Sequence, residues 1–364
     1  MDWPGATQVA ATIRRLERID PGAHRRIKGL RLVTAFGTAA MLGMQPSIGN
    51  ALTGSLAGGF ALWASVSEGQ STRARSTRDL AALCASAALG AAGLALLAPL
   101  LAGIGRAGPE LMLATGAFLA GYLRRFGVLG TGLGSQIYIG QLLAYGDGLG
   151  PADLRAIGIA GLVAALASIV PRLLSGPAEH PVSVAAPVAA TEGRWLSTEL
   201  VMGLQAAVAA IIIVALNEAV GLEESAWAIT ACVYVIANTS AGTLERVWRR
   251  LLGTAIGVPL GLACLPLAAH LPLLVWSAAA LAMIVYAMAL PERYDIACGA
   301  YAFTLIVTLA ASGEHSIMLL ASRAWETMIG GAFGLATALL LFPLKAPSPA
   351  AGSPAPESGQ PGPG

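Results

Sequence analysis

"NTSAGTLERVWRRLLGTAIG" spans residues 238–257, and within it Arg246, Arg249 and Arg250 stand between two apolar runs. Charge placed this way reads as a polar turn between two membrane-crossing helices. The rest of the chain agrees. Of its 364 residues 56% are hydrophobic and 12% charged, and the mean hydropathy is +0.70. Soluble domains carry about 25% charged residues, so this composition fits a bilayer. The 44 glycines, beside only 6% aromatics, suit helices that approach closely in lipid. The expected fold class is an all-α, polytopic membrane protein.

Spanning hydrocarbon takes roughly 20 mostly apolar residues. Candidate spans lie near 30–50, 51–67, 80–101, 110–124, 127–145 and 153–173, then near 199–219, 225–239, 248–268, 271–290, 294–312 and 319–342. That makes about twelve transmembrane helices, of which 110–124 and 225–239 are marginal in length. Cytoplasmic loops collect Lys and Arg. With the N-terminus inside, all 22 Lys and Arg except Arg106, Arg155 and Arg323 fall in or beside cytoplasmic segments. The expected orientation is N-in and C-in.

The chain also repeats itself. Arg125-Phe126 corresponds to Arg293-Tyr294, and Arg155 to Arg323, both at a shift of 168 residues. "DLAALCASAALG" (79–90) aligns with "RVWRRLLGTAIG" (246–257) at 167, and Trp63 with Trp227 at 164. Greasy helices align by chance, but charged residues at one shift do not follow from greasiness. Six spans per half is an even number, so the halves are expected to be parallel repeats related by an axis along the membrane normal. The domains are then 1–28, a basic segment; 29–174, the first six-helix repeat; 175–193, a Pro/Ala-rich linker; 194–345, the second repeat; and 346–364, a Pro/Gly/Ser-rich tail expected to be disordered. In 1–28, Val9, Ile13 and Leu16 recur at helical spacing apart from Arg14, Arg15 and Arg18. An interfacial helix on anionic lipid and a plain solvated lead-in both fit.

Chemistry is sparse. Cys84, Cys232, Cys264 and Cys298 sit in apolar segments without a CxxC pair or neighbouring His, and read as buried free thiols. The four histidines are scattered, so neither a metal site nor a cofactor is expected. No GxxxxGK[ST] loop, nucleophile triad or pair of acid/base carboxylates stands out. An enzyme is not expected, nor a nucleic-acid partner.

The segment "AGTLERVWRRLLGTAIGVPLG" (241–261) resembles the fusaric acid resistance (FUSC)-like, or aromatic acid exporter, family of bacterial inner-membrane proteins. There an apolar helix opening near a Trp ends in a polar turn, and an Arg-containing segment and a "RLLGT…G" helix follow. Trp227, Thr243, Arg246, Arg250, Gly253, Thr254 and Gly257 occupy those places here. "LLASRAWETMIGGAFGLATALLLFP" (319–343) is similar to the family's last helix through Arg323, Glu326 and Gly330. The likeness covers the second half well and the first weakly: "SEGQSTRARSTRDLAALCASAALG" keeps arginines but lacks "LLGT". "MQPSIG" (44–49) resembles the family's "QPS.G" turn but falls on the outer side, one helix early, and is set aside. The resemblance implies export of aromatic carboxylic acids and kinship with plant malate-conducting anion channels, in which two six-helix subunits enclose one pathway. This chain would be a fused form of that dimer.

Ionisable groups at membrane depth are expensive and therefore candidates for function. Arg323 and Glu326, three apart on one helix, read either as a structural ion pair or as an anion-attracting group beside a proton-exchanging carboxylate. Arg155 is the repeat mate of Arg323, with Gly158 where the second half has Glu326. Arg125 and Arg293 either ring a cytoplasmic entrance or simply anchor orientation. Asp79 and Glu245 are expected to pair with nearby arginines, and Glu218, Glu223 and Glu224 to form a solvated outer loop. Arg249 and Arg250 read as orientation-holding, which moves the weight to Arg155 and Arg323. The expected function is proton-coupled export of organic anions, with a lipid bilayer and a small organic anion as partners. A passive organic-anion channel and a non-transporting scaffold remain alternatives, as do a periplasmic adaptor partner and either a pseudo-dimeric monomer or a homo-oligomer.

Overall fold

A computed structural model describes residues 23–69, 73–105, 107–175, 197–222, 225–290, 292–311, 317–341 and 343–344. The N-terminal segment up to residue 22, linker residues 176–193 and the tail 346–364 lie outside the described residues. What is described is helical. The first six α-helices are α1 (Ala23–Gly43), α2 (Ala51–Ser67), α3 (Arg73–Leu101), α4 (Leu111–Tyr122), α5 (Gly127–Gly146) and α6 (Leu154–Leu174). The last six are α7 (Thr198–Val220), α8 (Ser225–Val235), α9 (Ser240–His270), α10 (Pro272–Ala289), α11 (Tyr294–Ala311) and α12 (Ile317–Leu340). Short 3-10 turns (Gly108–Glu110, Leu123–Phe126 and Pro151–Asp153) precede or follow α4 and lead into α6. Segments Arg73–Leu101, Pro151–Leu174, Thr198–Val220 and Ser240–Leu267 are each long and apolar enough to cross a bilayer. The chain is a multi-pass membrane protein.

The stretch read as a turn is helical instead. Thr239 caps α9, its hydroxyl accepting from the Gly242 N–H at 3.0 Å, and Thr243 to Arg250 follow in regular helix. No Gly-Pro breaker separates the arginines from the apolar run, so the helix takes them in. It also carries them inward: Arg250 lies ten residues past Ser240, about 15 Å along the axis at 1.5 Å per residue. The marginal spans do turn out short, at 12 residues in α4 and 11 in α8. Beyond α8 the backbone leaves the helix at Ile236 and Ala237, both buried in protein, a setting in which irregular backbone is tolerated at membrane depth. There the Thr243 hydroxyl accepts the Ala237 N–H at 3.0 Å, and Arg246 Nη1 donates to the Ile236 carbonyl at 3.1 Å. Two of the family-motif residues thus replace backbone hydrogen bonds that a continued helix would have made.

"MQPSIG" forms the tight link between α1 and α2. Asn50 Oδ1 accepts from the Thr53 N–H at 2.9 Å and starts α2.

Packing repeats between the two sets of six. α3 crosses α5 and α6 as α9 crosses α11 and α12; α4 lies on α5 as α10 lies on α11. α6 packs on α1 and α2 as α12 packs on α7 and α8. The sets meet through α4 against α7 and α10 against α1, two contacts that exchange when the sets are exchanged. Glycines set the closest crossings. A Cβ on Gly90 would meet the Ile137 carbonyl, and one on Gly257 would meet the Gly299 carbonyl.

The sets are also tied by hydrogen bonds. Tyr138 and Thr230 hydroxyls lie 2.7 Å apart, and those of Ser135 and Tyr234 2.8 Å apart. Interhelical hydrogen bonds in membranes average about 0.6 kcal/mol, up to about 1.7. A double-mutant cycle of Tyr138→Phe with Thr230→Val, read by thermal or denaturant unfolding in detergent, is expected to give a coupling in that range.

The largest apolar core takes in residues of α1 to α8, from Ala35 to Ile236, together with Leu344. α9 to α11 hold only small clusters, such as Val258 with Ala302 and Ile306.

Candidate functional site

Phase along α9 decides which arginine faces inward. Thr243, Val247, Gly253, Thr254, Gly257, Val258 and Gly261 are buried, whereas Leu244, Trp248, Leu252, Ile256 and Leu260 are exposed. Arg250 lies on the first of these faces and Arg249 between the two. Arg249 pairs with Glu245 one turn earlier at 2.5 Å and donates to the Glu292 carbonyl at 2.9 Å. Its neighbour Arg250 turns into the bundle.

There it lines a narrow cavity of about 30 Å³ with Trp227 from α8, Thr254 and Val258 from α9, Cys298 and Tyr301 from α11, and Thr327 from α12. Arg250 Nη1 donates to the Tyr294 hydroxyl at 3.3 Å. Its buried Nε has no hydrogen-bond partner among the described residues. Glu326, fully enclosed, immediately precedes the cavity-lining Thr327. A guanidinium with an unused donor, two aromatic rings and two hydroxyls make a site suited to a small planar anion: the charge answers a carboxylate and the rings an aromatic body.

The aromatic wall continues towards the other set of helices. Tyr301 lies 5.4 Å from Trp63 of α2, ring centre to ring centre, and Trp63 lies 6.1 Å from Tyr286 of α10. At the shift of 167, however, Arg250, Thr254 and Val258 correspond to Leu83, Ala87 and Ala91, all tightly buried. The first six helices pack hydrocarbon where the last six keep a polar cavity.

The other candidate residues are placed as follows. Gly253 and Gly257 sit where α9 meets α11, and Gly330 where α12 meets the backbone of α8 at Ala228. Arg125 is exposed; its Nη1 donates to the Tyr122 hydroxyl at 2.7 Å, and its guanidinium lies over the Tyr122 and Phe126 rings. Arg293 is exposed and paired with Asp295 at 3.2 Å. Arg155 is exposed in the first turn of α6, remote in sequence from the cavity lining. The backbone of Arg323 is in α12, but its side chain lies outside the described residues, and so does the geometry of any pair with Glu326. The buried Glu68 lies 3.9 Å from Arg31, and Asp79 is buried near the start of α3.

Sequence reasoning did not find Tyr301 and Thr327, which reach the cavity from helices distant in sequence, or Tyr294, which accepts from Arg250. It also missed Arg124, which lies close enough to Arg246, Tyr234 and Tyr294 to interact electrostatically. The spacing of Arg250, Thr254 and Val258 at four-residue intervals was the available signal for the inward face.

Among the described residues no group of His, Cys, Asp and Glu could hold a metal ion. Cys84, Cys232 and Cys298 are free and buried, and Cys264 is free and half-buried.

Residues 209–337 match the model of the family described as fusaric acid resistance protein-like. No curated protein and no solved structure matches the chain. The matched segment begins in α7 and ends in α12, so it contains every residue that lines the Arg250 cavity. The likeness read from 241–261 and 319–343 is borne out: the second half of the chain is similar to the fusaric acid resistance protein-like family, a similarity that implies a membrane efflux or transport-related role.

Proposed function

We propose that this protein exports aromatic or amphipathic carboxylic acids across a bacterial inner membrane, driven by the proton gradient. The observation that carries the reading is the Arg250 cavity: an inward arginine with an unused buried donor, between Trp227 and Tyr301, in the half that matches the family. Arg250 is half-buried, with its Nε buried; charge held at membrane depth is costly and marks substrate pathways. The cavity has room for about one water molecule, so an aromatic acid enters only when the helices part.

We read the twelve helices as twelve spans in two parallel repeats. The matching helix pairs within each set, and the exchanged contacts between them, support this. From the positive-inside count we read the end bearing Arg124, Arg246 and Arg293 as cytoplasmic, with both termini. On this reading Arg125 and Arg293 draw anions to the entrance, Arg250 receives them, and the enclosed Glu326, one residue before the cavity-lining Thr327, exchanges the proton. Arg155 and Arg323 fall near the outer end, where they would meet a departing anion.

Inverted membrane vesicles test the reading through uptake of a labelled aromatic acid. Uptake is expected with an acidic lumen and to vanish when the gradient is collapsed. Uptake indifferent to collapse would favour a passive channel and overturn the coupling. Glu326→Gln is expected to abolish gradient-driven uptake yet leave binding of the acid intact. Undiminished gradient-driven uptake in that variant would remove Glu326 from the mechanism.

A further inference from the structure

At the end opposite Arg124, Arg246 and Arg293, the turn between α3 and α4 is bolted to the turn between α7 and α8. Glu110, with no solvent exposure, supplies the bolt. Asn217 Nδ2 donates to Glu110 Oε2 at 2.8 Å and approaches Ser225 Oγ at 2.9 Å, while the Ser225 hydroxyl donates to Glu110 Oε1. Asn217 Oδ1 accepts the Leu222 N–H at 3.0 Å, so both sides of the joint are held. Glu218, read in the sequence as simply solvated, instead accepts the Ala107 N–H at 2.6 Å. Beside the joint lies a cavity of about 610 Å³, lined by Asn217 and Ser225 and by apolar side chains including Leu94, Ala98 and Leu222.

Glu110 belongs to the first set of helices and both of its partners to the second, so the sets cannot part at this end without undoing the trio. The trio also accommodates an added proton. On Oε1 it would be donated to the Ser225 oxygen, whose own hydrogen turns away, while Asn217 keeps its bond to Oε2. We propose that Glu110 is the outer-end proton acceptor: closing the two turns takes up one proton from outside, and opening them returns it. This rests on the proton-coupled export reading and supplies its outer step.

The sign is set by burial. In the closed joint, desolvation holds the Glu110 carboxyl above the ordinary carboxylate range, outweighing the Ser225 and Asn217 bonds; once the turns open, water restores it. The closed form therefore binds the proton more tightly and gains as pH falls; that gain is lost as pH rises through the raised value. For an exporter this is the useful direction, because a proton taken up after the anion has left closes the outer end. Other titratable groups near the joint are Glu218 on α7, Tyr145 and Asp147 at the end of α5, and Asp153 before α6, which accepts the Gly150 N–H at 3.0 Å. Asp147 is itself pushed up by burial. The side chains of Arg106, Glu223 and Glu224 lie outside the described residues.

The test uses the full chain in lipid nanodiscs, spin-labelled at Ile104→Cys and Val220→Cys, exposed positions on the two turns. The population with the labels close together is expected to rise from minority to majority between pH 8 and 5. Glu110→Gln, which mimics the protonated carboxyl, is expected to stay closed across that range. Ser225→Ala, which removes a bond that holds the closed joint whether Glu110 is charged or protonated, is expected to move the midpoint to lower pH. A distance that ignores pH, a titration that persists in Glu110→Gln, or an unmoved midpoint in Ser225→Ala would each overturn the proposal. The labels sense no substrate, so failure here leaves the vesicle result standing. Failed uptake with an intact titration would count against export alone.

Discussion

Arg250→Gln is expected to lower aromatic-acid uptake at least tenfold, while Arg249→Gln keeps uptake within about twofold of the parent. The two residues are adjacent and identical in type, but α9 points them differently. Arg249 is held by Glu245 and the Glu292 carbonyl near the surface, where an exposed ion pair contributes about 0–1 kcal/mol. Arg250 faces the cavity beside Trp227 and Tyr301 and donates to the Tyr294 hydroxyl through Nη1, while its buried Nε has no partner among the described residues. A hydrogen bond to a charged group contributes about 1.5–3 kcal/mol, which corresponds to about tenfold or more in binding. Glutamine keeps the length and polarity but removes the charge and the fork. Equal uptake by both variants would show that the cavity is not on the pathway.

Gly257→Ala is expected to destabilise the protein, and Gly93→Ala to stabilise it slightly. Both glycines lie inside long helices, where alanine gains about 0.5–1 kcal/mol over glycine from backbone entropy alone. At Gly93 an added Cβ meets nothing within 4 Å, so that gain is kept. At Gly257 the Cβ would drive into the Gly299 carbonyl and lie 2.9 Å from the Ala302 Cβ. Backbone cannot swing aside as a long side chain can, so α9 and α11 must separate. Overpacking of this kind costs about 1–3 kcal/mol, enough to reverse the sign. Thermal unfolding of the two variants in detergent reads the difference directly. A gain at both positions would mean that α9 and α11 are farther apart than described.

The helical, membrane-crossing nature of the chain was legible because apolar runs separated by basic residues leave few alternatives in lipid. The family was legible from Trp227 and the run from Thr243 to Gly257, since those residues answer local needs: capping an unwound backbone and letting two helices touch. What could not be read was phase and depth. "TLERVWRR" looks like a turn by composition, yet nothing in it stops a helix that Thr239 has already capped. Once it is helical, one residue of rotation separates an arginine paired at the surface from one inside the bundle. Tyr301 and Thr327 become neighbours of Arg250 only when α11 and α12 pack on α9. Glu110 stands 107 residues from Asn217 and 115 from Ser225, so no window of sequence holds the three together.

Direct binding to the purified protein tests the central claim most plainly. An aromatic carboxylate, its uncharged amide and an aliphatic acid of similar size would be titrated against the parent and Arg250→Gln, with tryptophan fluorescence reporting on Trp227 and its neighbours. The parent should bind the aromatic carboxylate saturably and at least tenfold more tightly than either analogue, and Arg250→Gln should lose that preference for charge. Equal affinity of the parent and Arg250→Gln for the aromatic carboxylate would contradict the account.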